Sequence, residues 1–162
     1  MLRYVLILMF AASAILHSTG VPDGIYSVVN TYKVDEDRET STNNVLINYN
    51  PKYSDEEKGE QTYVEIDPSD YVPLVLAKAP VAKDDENGRK KVFLSFGEEN
   101  AKKLAHFSAK HLNTKVCVVI DGEAVSMHEV KSILETGVMQ ITRCTDDGCK
   151  YLFEDLKDNV KP

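Results

Sequence analysis

The chain has 162 residues, which is enough for one compact domain with an apolar core and short for two. Its apolar fraction of 43% and charged fraction of 28% are ordinary for a soluble globular protein. The formal net charge is −7 and no long block of basic residues occurs, so the composition argues against nucleic acid as a partner.

Residues 1–20 are predicted to be a secretory signal peptide. Arg3 precedes an apolar run from Tyr4 to Leu16, and this run is short for a membrane span of about 20 residues. Cleavage is expected before Val21. The small residues at 12–14 are a second candidate site, and an uncleaved membrane anchor is the alternative. Export predicts a periplasmic or secreted protein, in a compartment where a disulfide persists.

The region 21–90 is predicted to hold strands and polar loops of the same domain as the rest. β-Branched and aromatic residues indicate strands at 25–34, 62–66 and 71–81, and Pro73 places the last at a sheet edge or delays its start.

Two shorter segments of this region have less regular patterns. The apolar segment 45–49 is interpreted either as a short strand between loops or as part of one long disordered linker. Residues 84–89 contain an Asn-Gly pair and are predicted to form a turn, because their acidic residues lack the spacing of a calcium loop.

The remaining region, 91–162, is predicted to form an α+β core that begins with a strand and a helix. Val92, Leu94 and Phe96 alternate along the strand and indicate one buried face. The helix then follows from residue 98. Its predicted buried residues are Ala101, Leu104, Ala105, Ser108 and Leu112, with Phe107 beside them. His106 and His111 are interpreted as surface histidines, because their spacing does not place two metal ligands on one helical face.

The segment 115–120 is a nearly continuous apolar run and predicts a central strand buried on both faces. Cys117 within it is expected to be a small buried thiol. Asp121 and Gly122 follow directly and predict a tight hairpin turn, after which a return strand is expected at 123–127.

The last elements are a strand and a capped helix. The segment 128–134 is interpreted either as a bent connection or as a helical turn. Gly137 is expected to begin a strand over 138–143, and Thr145 is a suitable N-cap for a C-terminal helix. The predicted buried face of that helix consists of Tyr151, Leu152, Leu156 and Val160.

Cys144 and Cys149 are the candidates for a disulfide. They stand before the cap and on the fourth residue of the predicted helix, two positions that a hydrophobic staple brings together. Export favours a bridge between them, and two reduced, packed thiols are the alternative.

Together these elements predict an α+β fold with a mixed, mainly antiparallel sheet and two helices packed on one face. No glycine loop for phosphates, nucleophile motif or metal-ligand spacing occurs, so no cofactor, no metal and no catalytic residue are predicted.

One set of residues shares its order and spacing with a known family. The set consists of Phe96, Asp121, Gly122, Ser126, Gly137, Gln140, Ile141 and Thr142. In these residues the chain resembles the head subdomain of the first periplasmic domain of SecD-type protein-export membrane proteins. The resemblance implies a detached, exported head module without the membrane spans, and in the transporter this domain is thought to contact polypeptide emerging from the channel.

The function predicted on this basis is a non-enzymatic binding or adaptor module that contacts polypeptides or proteins of the cell envelope, with no membrane span after signal removal. Two alternatives stay open. One is a small secreted hydrolase, which would need a deep pocket with a histidine and an acid in hydrogen-bond reach. The other is a structural envelope protein that assembles through an exposed strand edge.

Overall fold

The structure is a computed structural model that describes residues 20–33, 41, 43–50, 61–84, 86, 90–141 and 146–157, with the backbone alone at 90 and 146–151. The predicted signal peptide, apart from Gly20, and most of the predicted turn at 84–89 lie outside the described residues. The described elements are β1 Gly24–Lys33, β2 Val45–Tyr49, β3 Thr62–Pro73, β4 Val81–Asp84, β5 Lys90–Ser95, α1 Glu98–Lys110, β6 Lys115–Ile120, β7 Glu123–Glu129, β8 Val138–Ile141 and α2 Asp146–Lys157.

Five strands form a closed barrel in the order β1-β3-β2-β7-β6. All of its pairs are antiparallel except β2 with β7, which meet in parallel at Tyr49 and Ala124. The residues packed inside it include Tyr26, Ile47, Val64, Ile66, Cys117 and Val119. The strand at 45–49 is therefore confirmed, and its place in the barrel explains why a short apolar segment is retained between polar stretches.

The other three strands form a separate antiparallel sheet in the order β4-β5-β8. Val92 and Leu94 of β5 are fully buried, as the alternation predicts. They pack in a second core with Leu152 and Leu156, which confirms the part of the α2 buried face that the structure describes.

Strand β6 connects the two cores. Val116 and Val118 pack in the second core, whereas Cys117 and Val119 pack inside the barrel. The prediction of a central strand buried on both faces is confirmed. Burial raises the pKa of the Cys117 thiol to about 12, so it stays a neutral, packed side chain at ordinary pH.

The predicted strands at 62–66 and 71–81 are wrong in their bounds, because β3 runs without interruption to Pro73 and the rest of 71–81 is mostly not strand. The register with its partner β1 skips the residues 67–70 of β3. Tyr26 lies opposite Tyr71 but Val28 lies opposite Ile66, so a bulge in β3 absorbs the extra residues. Beyond Pro73 the chain turns, and Leu76 forms only an isolated bridge with Phe96.

The α+β class and the mainly antiparallel pairing are confirmed, but the predicted single sheet is two sheets. The helices accordingly contact different strands: α1 packs against β3, and α2 packs against β4 and β5. Leu112, predicted to be buried, is 39% exposed. The reason is that α1 ends at Lys110 and Asn113 reverses the backbone with φ 63, which removes Leu112 from the helical face.

Glu65 is a buried carboxylate on the outer side of the barrel, 3% exposed. Its Oε2 accepts a hydrogen bond from the Tyr32 hydroxyl at 2.9 Å, and its Oε1 accepts from Asn44 Nδ2 at 2.8 Å and from the backbone N–H of Ser41 at 3.3 Å. Burial raises the pKa of Glu65, but these donors outweigh burial and hold the pKa below its usual value.

We expect Glu65→Gln to lower the free energy of unfolding by about 1–2 kcal/mol at pH 7. The hydrogen bonds from Tyr32, Asn44 and Ser41 then no longer have a charged carboxylate as their acceptor. The pKa of Glu65 is lower in the folded state, so its stabilisation is present above the unfolded-state pKa and is lost as the pH falls through the folded-state pKa. Urea denaturation of both proteins at neutral and acidic pH measures this. A difference that stays constant into strong acid would contradict the charge-based explanation.

Candidate functional site

A cleft of about 360 Å³ lies where α1, the β6–β7 hairpin and β8 meet. Its floor and walls are mainly apolar and come from residues distant in sequence. The lining residues are Ile25, Leu104, Phe107, Ser108, Val116, His128, Glu129, Val130, Lys131, Ser132, Leu134, Met139 and Gln140.

The cleft has an apolar interior and a polar rim. Leu104, Phe107 and Met139 are buried side chains of the second core that also line it. Lys131 and Gln140 at the rim are exposed. Such a site can bury an apolar side chain while the rest of the ligand stays at the surface.

Ser108 holds one wall of the cleft in place. Its Oγ donates a hydrogen bond to the Ala105 carbonyl at 3.1 Å and accepts one from the Leu134 N–H at 2.9 Å. The hydroxyl therefore links α1 to the segment after β7, which is a connection and not a helical turn. A serine whose oxygen is committed to two backbone groups is poorly placed to act as a nucleophile.

Two other polar residues of the cleft do not form an acid–base pair. His128 and Glu129 are consecutive residues of β7, so their side chains point to opposite faces of the strand. Across the described ranges, no group of three or more histidine, cysteine, aspartate or glutamate side chains is arranged to hold a metal ion.

The geometry of β8 leaves one of its edges open. Within the described part of the chain, β8 pairs only with β5, with Leu94 opposite Met139 and Ser95 opposite Val138. The Phe96 N–H donates to the Gly137 carbonyl at 2.9 Å. Antiparallel pairs alternate between bonded and non-bonded residues, so Met139 bonds to β5.

It follows that Val138 and Gln140 direct their backbone N–H and C=O groups away from β5, toward the open edge. This edge borders the cleft. Met139 and Gln140 both line the cleft, although consecutive strand residues place their side chains on opposite faces. A cleft that touches both residues must lie along the edge of the strand.

The residues that carry the family resemblance fall in several places. Gln140 lines the cleft, Gly137 lies directly before the strand that carries Gln140, and Phe96 and Ile141 pack in the second core. Ser126 is buried, and its Oγ makes no hydrogen bond within the described residues. The structure therefore brings only part of the predicted set to the cleft.

The predicted hairpin turn is confirmed, since Asp121 and Gly122 both have positive φ values, 52 and 78. Asp121 does not line the cleft. Its N–H donates a hydrogen bond to Asp23 Oδ1 at 2.9 Å, which fixes the turn to the residue before β1. Thr142 and Cys144 lie outside the described residues, and Cys149 is described only by its backbone, so the proposed disulfide stays a prediction.

His111, predicted to be a surface histidine, is half-buried in an ion-pair cluster. Its Nε2 lies 2.7 Å from Asp70 Oδ2, and the same oxygen accepts a hydrogen bond from Lys110 Nζ at 2.8 Å. The bulge in β3 turns Asp70 toward the end of α1, which the sequence spacing did not reveal. His106 is exposed, as predicted.

This cluster fastens α1 to the barrel. Burial raises the pKa of Asp70, but hydrogen bonds from Lys110 and His111 outweigh it and lower the pKa overall. The surface groove beside it is lined by Asp70, Tyr71, Lys102, Lys103, His106 and Phe107. None of these lining residues is a serine, a threonine or a cysteine.

Comparison with known proteins gives a structural similarity. No protein-family model matches the chain, and no curated protein matches it. The chain is similar to SecDF. A structure of SecDF, described as a membrane component that enhances protein export, matches with a TM-score of 0.46 and 20% identity over 58% of this chain. SecDF in its super-membrane-facing form matches with a TM-score of 0.46 and 21% identity over 59%.

The similarity to SecDF agrees with the SecD-type resemblance that the sequence predicts. The chain spans 44% of the first SecDF chain and 14% of the second. Of the helices that the structure describes, none combines the length and the apolar character needed to cross a bilayer.

Proposed function

We propose that the chain is a non-enzymatic binding module that holds polypeptide segments in the cleft between α1 and β8. The observation that supports this is the combination of an apolar interior, formed by Leu104, Phe107 and Met139, with a polar rim. A volume of about 360 Å³ falls in the range of small ligand sites and admits one or two apolar side chains.

The proposal includes export to the periplasm or the cell exterior, with residues 1–20 as the signal peptide and protein partners in the cell envelope. The division into N-terminal strands and polar loops at 21–90 and a head-like core at 91–162, both within one domain, is part of the same proposal. SecDF is described as enhancing protein export, and a role beside exported polypeptides is proposed for this chain too. The cleft, and not the similarity, supports it.

The test is the binding of two short fluorescent peptides to the purified chain. One alternates leucine with threonine between terminal lysines, and the other replaces every leucine by threonine. Burial of one leucine side chain contributes about 2 kcal/mol, so we expect the leucine peptide to bind at least tenfold more tightly. Fluorescence anisotropy measures both affinities. Equal affinities, or no saturable binding of the leucine peptide, would refute polypeptide binding in the cleft.

Among the described residues the outer edge of β8 is unpaired, and this favours a second candidate, in which copies of the chain assemble through that edge. Sedimentation velocity over a wide concentration range distinguishes the two. A binding module stays monomeric without peptide, whereas assembly through the edge raises the mass with concentration and competes with the peptide.

A further inference from the structure

Resting on the proposed function, we propose that the ligand binds as an additional strand along the open edge of β8, with an apolar side chain in the cleft. The ligand is then an extended segment of an unfolded polypeptide, recognised through its backbone as well as its side chains. The site then consists of Val138, Gln140 and the apolar lining of the cleft. When a peptide is bound, β8 becomes an inner strand of a four-stranded sheet.

The first argument is hydrogen-bond complementarity. Val138 and Gln140 each present one N–H and one C=O to the open edge, because Met139 uses its own groups to bond with β5. An extended peptide offers the same groups at the same spacing, so it can satisfy all of them. A compact small molecule does not repeat this pattern.

The second argument is the contrast between the two edges of the sheet. All four residues of β4 are exposed, and the strand carries Lys83 and Asp84. Charges of this kind protect an edge against pairing with another chain. Strand β8 has the sequence VMQI and carries no charge. Val138 is moreover a 38% exposed apolar residue on that edge.

The third argument is the position of the cleft. It borders the same edge, so a peptide strand paired with Val138 and Gln140 runs along the apolar wall formed by Leu104 and Phe107. Alternate side chains of a strand point to the same face, and one of these faces meets the wall. The net charge of −7 favours a segment with basic residues beside the apolar one.

The experiment uses the leucine peptide, in which leucine alternates with threonine, and N-methylates selected residues of it. All leucine N–H groups of an extended peptide point to one edge, and all threonine N–H groups point to the other. One peptide is N-methylated at every leucine and a second at every threonine. Strand addition predicts that one of the two loses at least tenfold in affinity, because its methyl groups face β8, while the other binds about as well as the parent.

The outcomes separate this inference from the proposed function. If the parent peptide binds but both N-methylated peptides change equally, strand addition is wrong and cleft binding stands. If the parent peptide does not bind at all, both are wrong.

A matched pair of variants tests the same point on the protein side. Gln140→Pro removes an outward N–H at an edge position that tolerates proline, and Gln140→Ala removes the side chain but keeps the N–H. We expect the proline variant to bind the parent peptide at least fivefold more weakly than the alanine variant, at similar melting temperatures. Equal affinities of the two variants would overturn the role of the β8 backbone.

Discussion

Replacement of Gly137 by alanine lowers the free energy of unfolding by about 2–5 kcal/mol. Gly137 has φ +67, a backbone region that costs a residue with a Cβ about 1–2 kcal/mol. A Cβ at this position would also lie 2.5 Å from the Ala101 Cβ, and such overpacking costs about 1–3 kcal/mol more. Urea denaturation measures the loss.

Gly97→Ala is the matched control, because nothing lies within 4 Å of a Cβ built at Gly97. Its φ of −67 is open to any residue, so we expect only the smaller loss of a glycine N-cap, below about 1 kcal/mol. Equal losses at the two glycines would contradict the explanation.

A double-mutant cycle separates the two causes of the Gly137 effect. Ala101→Gly removes the methyl group that the new Cβ meets, but it leaves the positive φ unchanged. We expect the Ala101→Gly, Gly137→Ala double variant to lose less free energy of unfolding than the sum of the two single losses. The difference, the coupling energy, is expected to be about 1–2 kcal/mol. Complete additivity would assign the whole effect to backbone strain.

The consequence for the site is geometric. Gly137 accepts the Phe96 hydrogen bond that fixes the pairing of β8, and its N–H lies 3.4 Å from the Leu134 carbonyl at the cleft. Its close approach to α1 sets the distance between the β8 edge and the apolar wall. The folded fraction of Gly137→Ala is therefore also expected to bind the leucine peptide more weakly.

Replacement of Leu134 by glutamate reduces the affinity for the leucine peptide by at least tenfold. Leu134 is half-buried, packs against the second core and lines the cleft. A carboxylate placed in this apolar interior must be desolvated when the peptide binds, which costs more than the lost apolar contact alone. Fluorescence anisotropy with the purified variant measures the change.

Ile133→Glu provides the control with the same charge change at the neighbouring residue. Ile133 is 46% exposed and does not line the cleft. We expect Ile133→Glu to bind the leucine peptide as tightly as the unmodified chain does. The affinity of Leu134→Ala is expected to lie between those of the two glutamate variants. Thermal melting establishes that each variant is folded. Equal weakening by both glutamates would indicate a general effect of charge and would count against the cleft.

The elements with strong local periodicity could be predicted from the sequence. The strand with Val92 and Leu94 shows an alternation that the fold uses directly, and the apolar run at 115–120 becomes β6 with both faces buried. The turn at Asp121 and Gly122 is likewise determined by residue type, because these residues tolerate positive φ.

The features that the sequence did not reveal depend on contacts between distant residues. The continuous β3 depends on its pairing with β1, and the bulge there places Asp70 beside His111, 41 residues away. Among the strands that the structure describes, β8 is the last of the second sheet and has a free edge, which no local pattern of VMQI encodes. The cleft likewise joins residues of α1, β7 and β8 that become neighbours only in the fold.

An NMR titration of the ¹⁵N-labelled chain with the leucine peptide tests the central claim most directly. If the peptide lies along β8 with a leucine in the cleft, the amide signals of Val138 and Gln140 shift most, because their N–H groups gain acceptors. The signals of Leu104 and Leu134 also shift, while those of Val81 to Asp84 on the opposite edge stay in place. Shifts concentrated on the β4 edge, or in the groove beside Asp70, would contradict the assignment of the site.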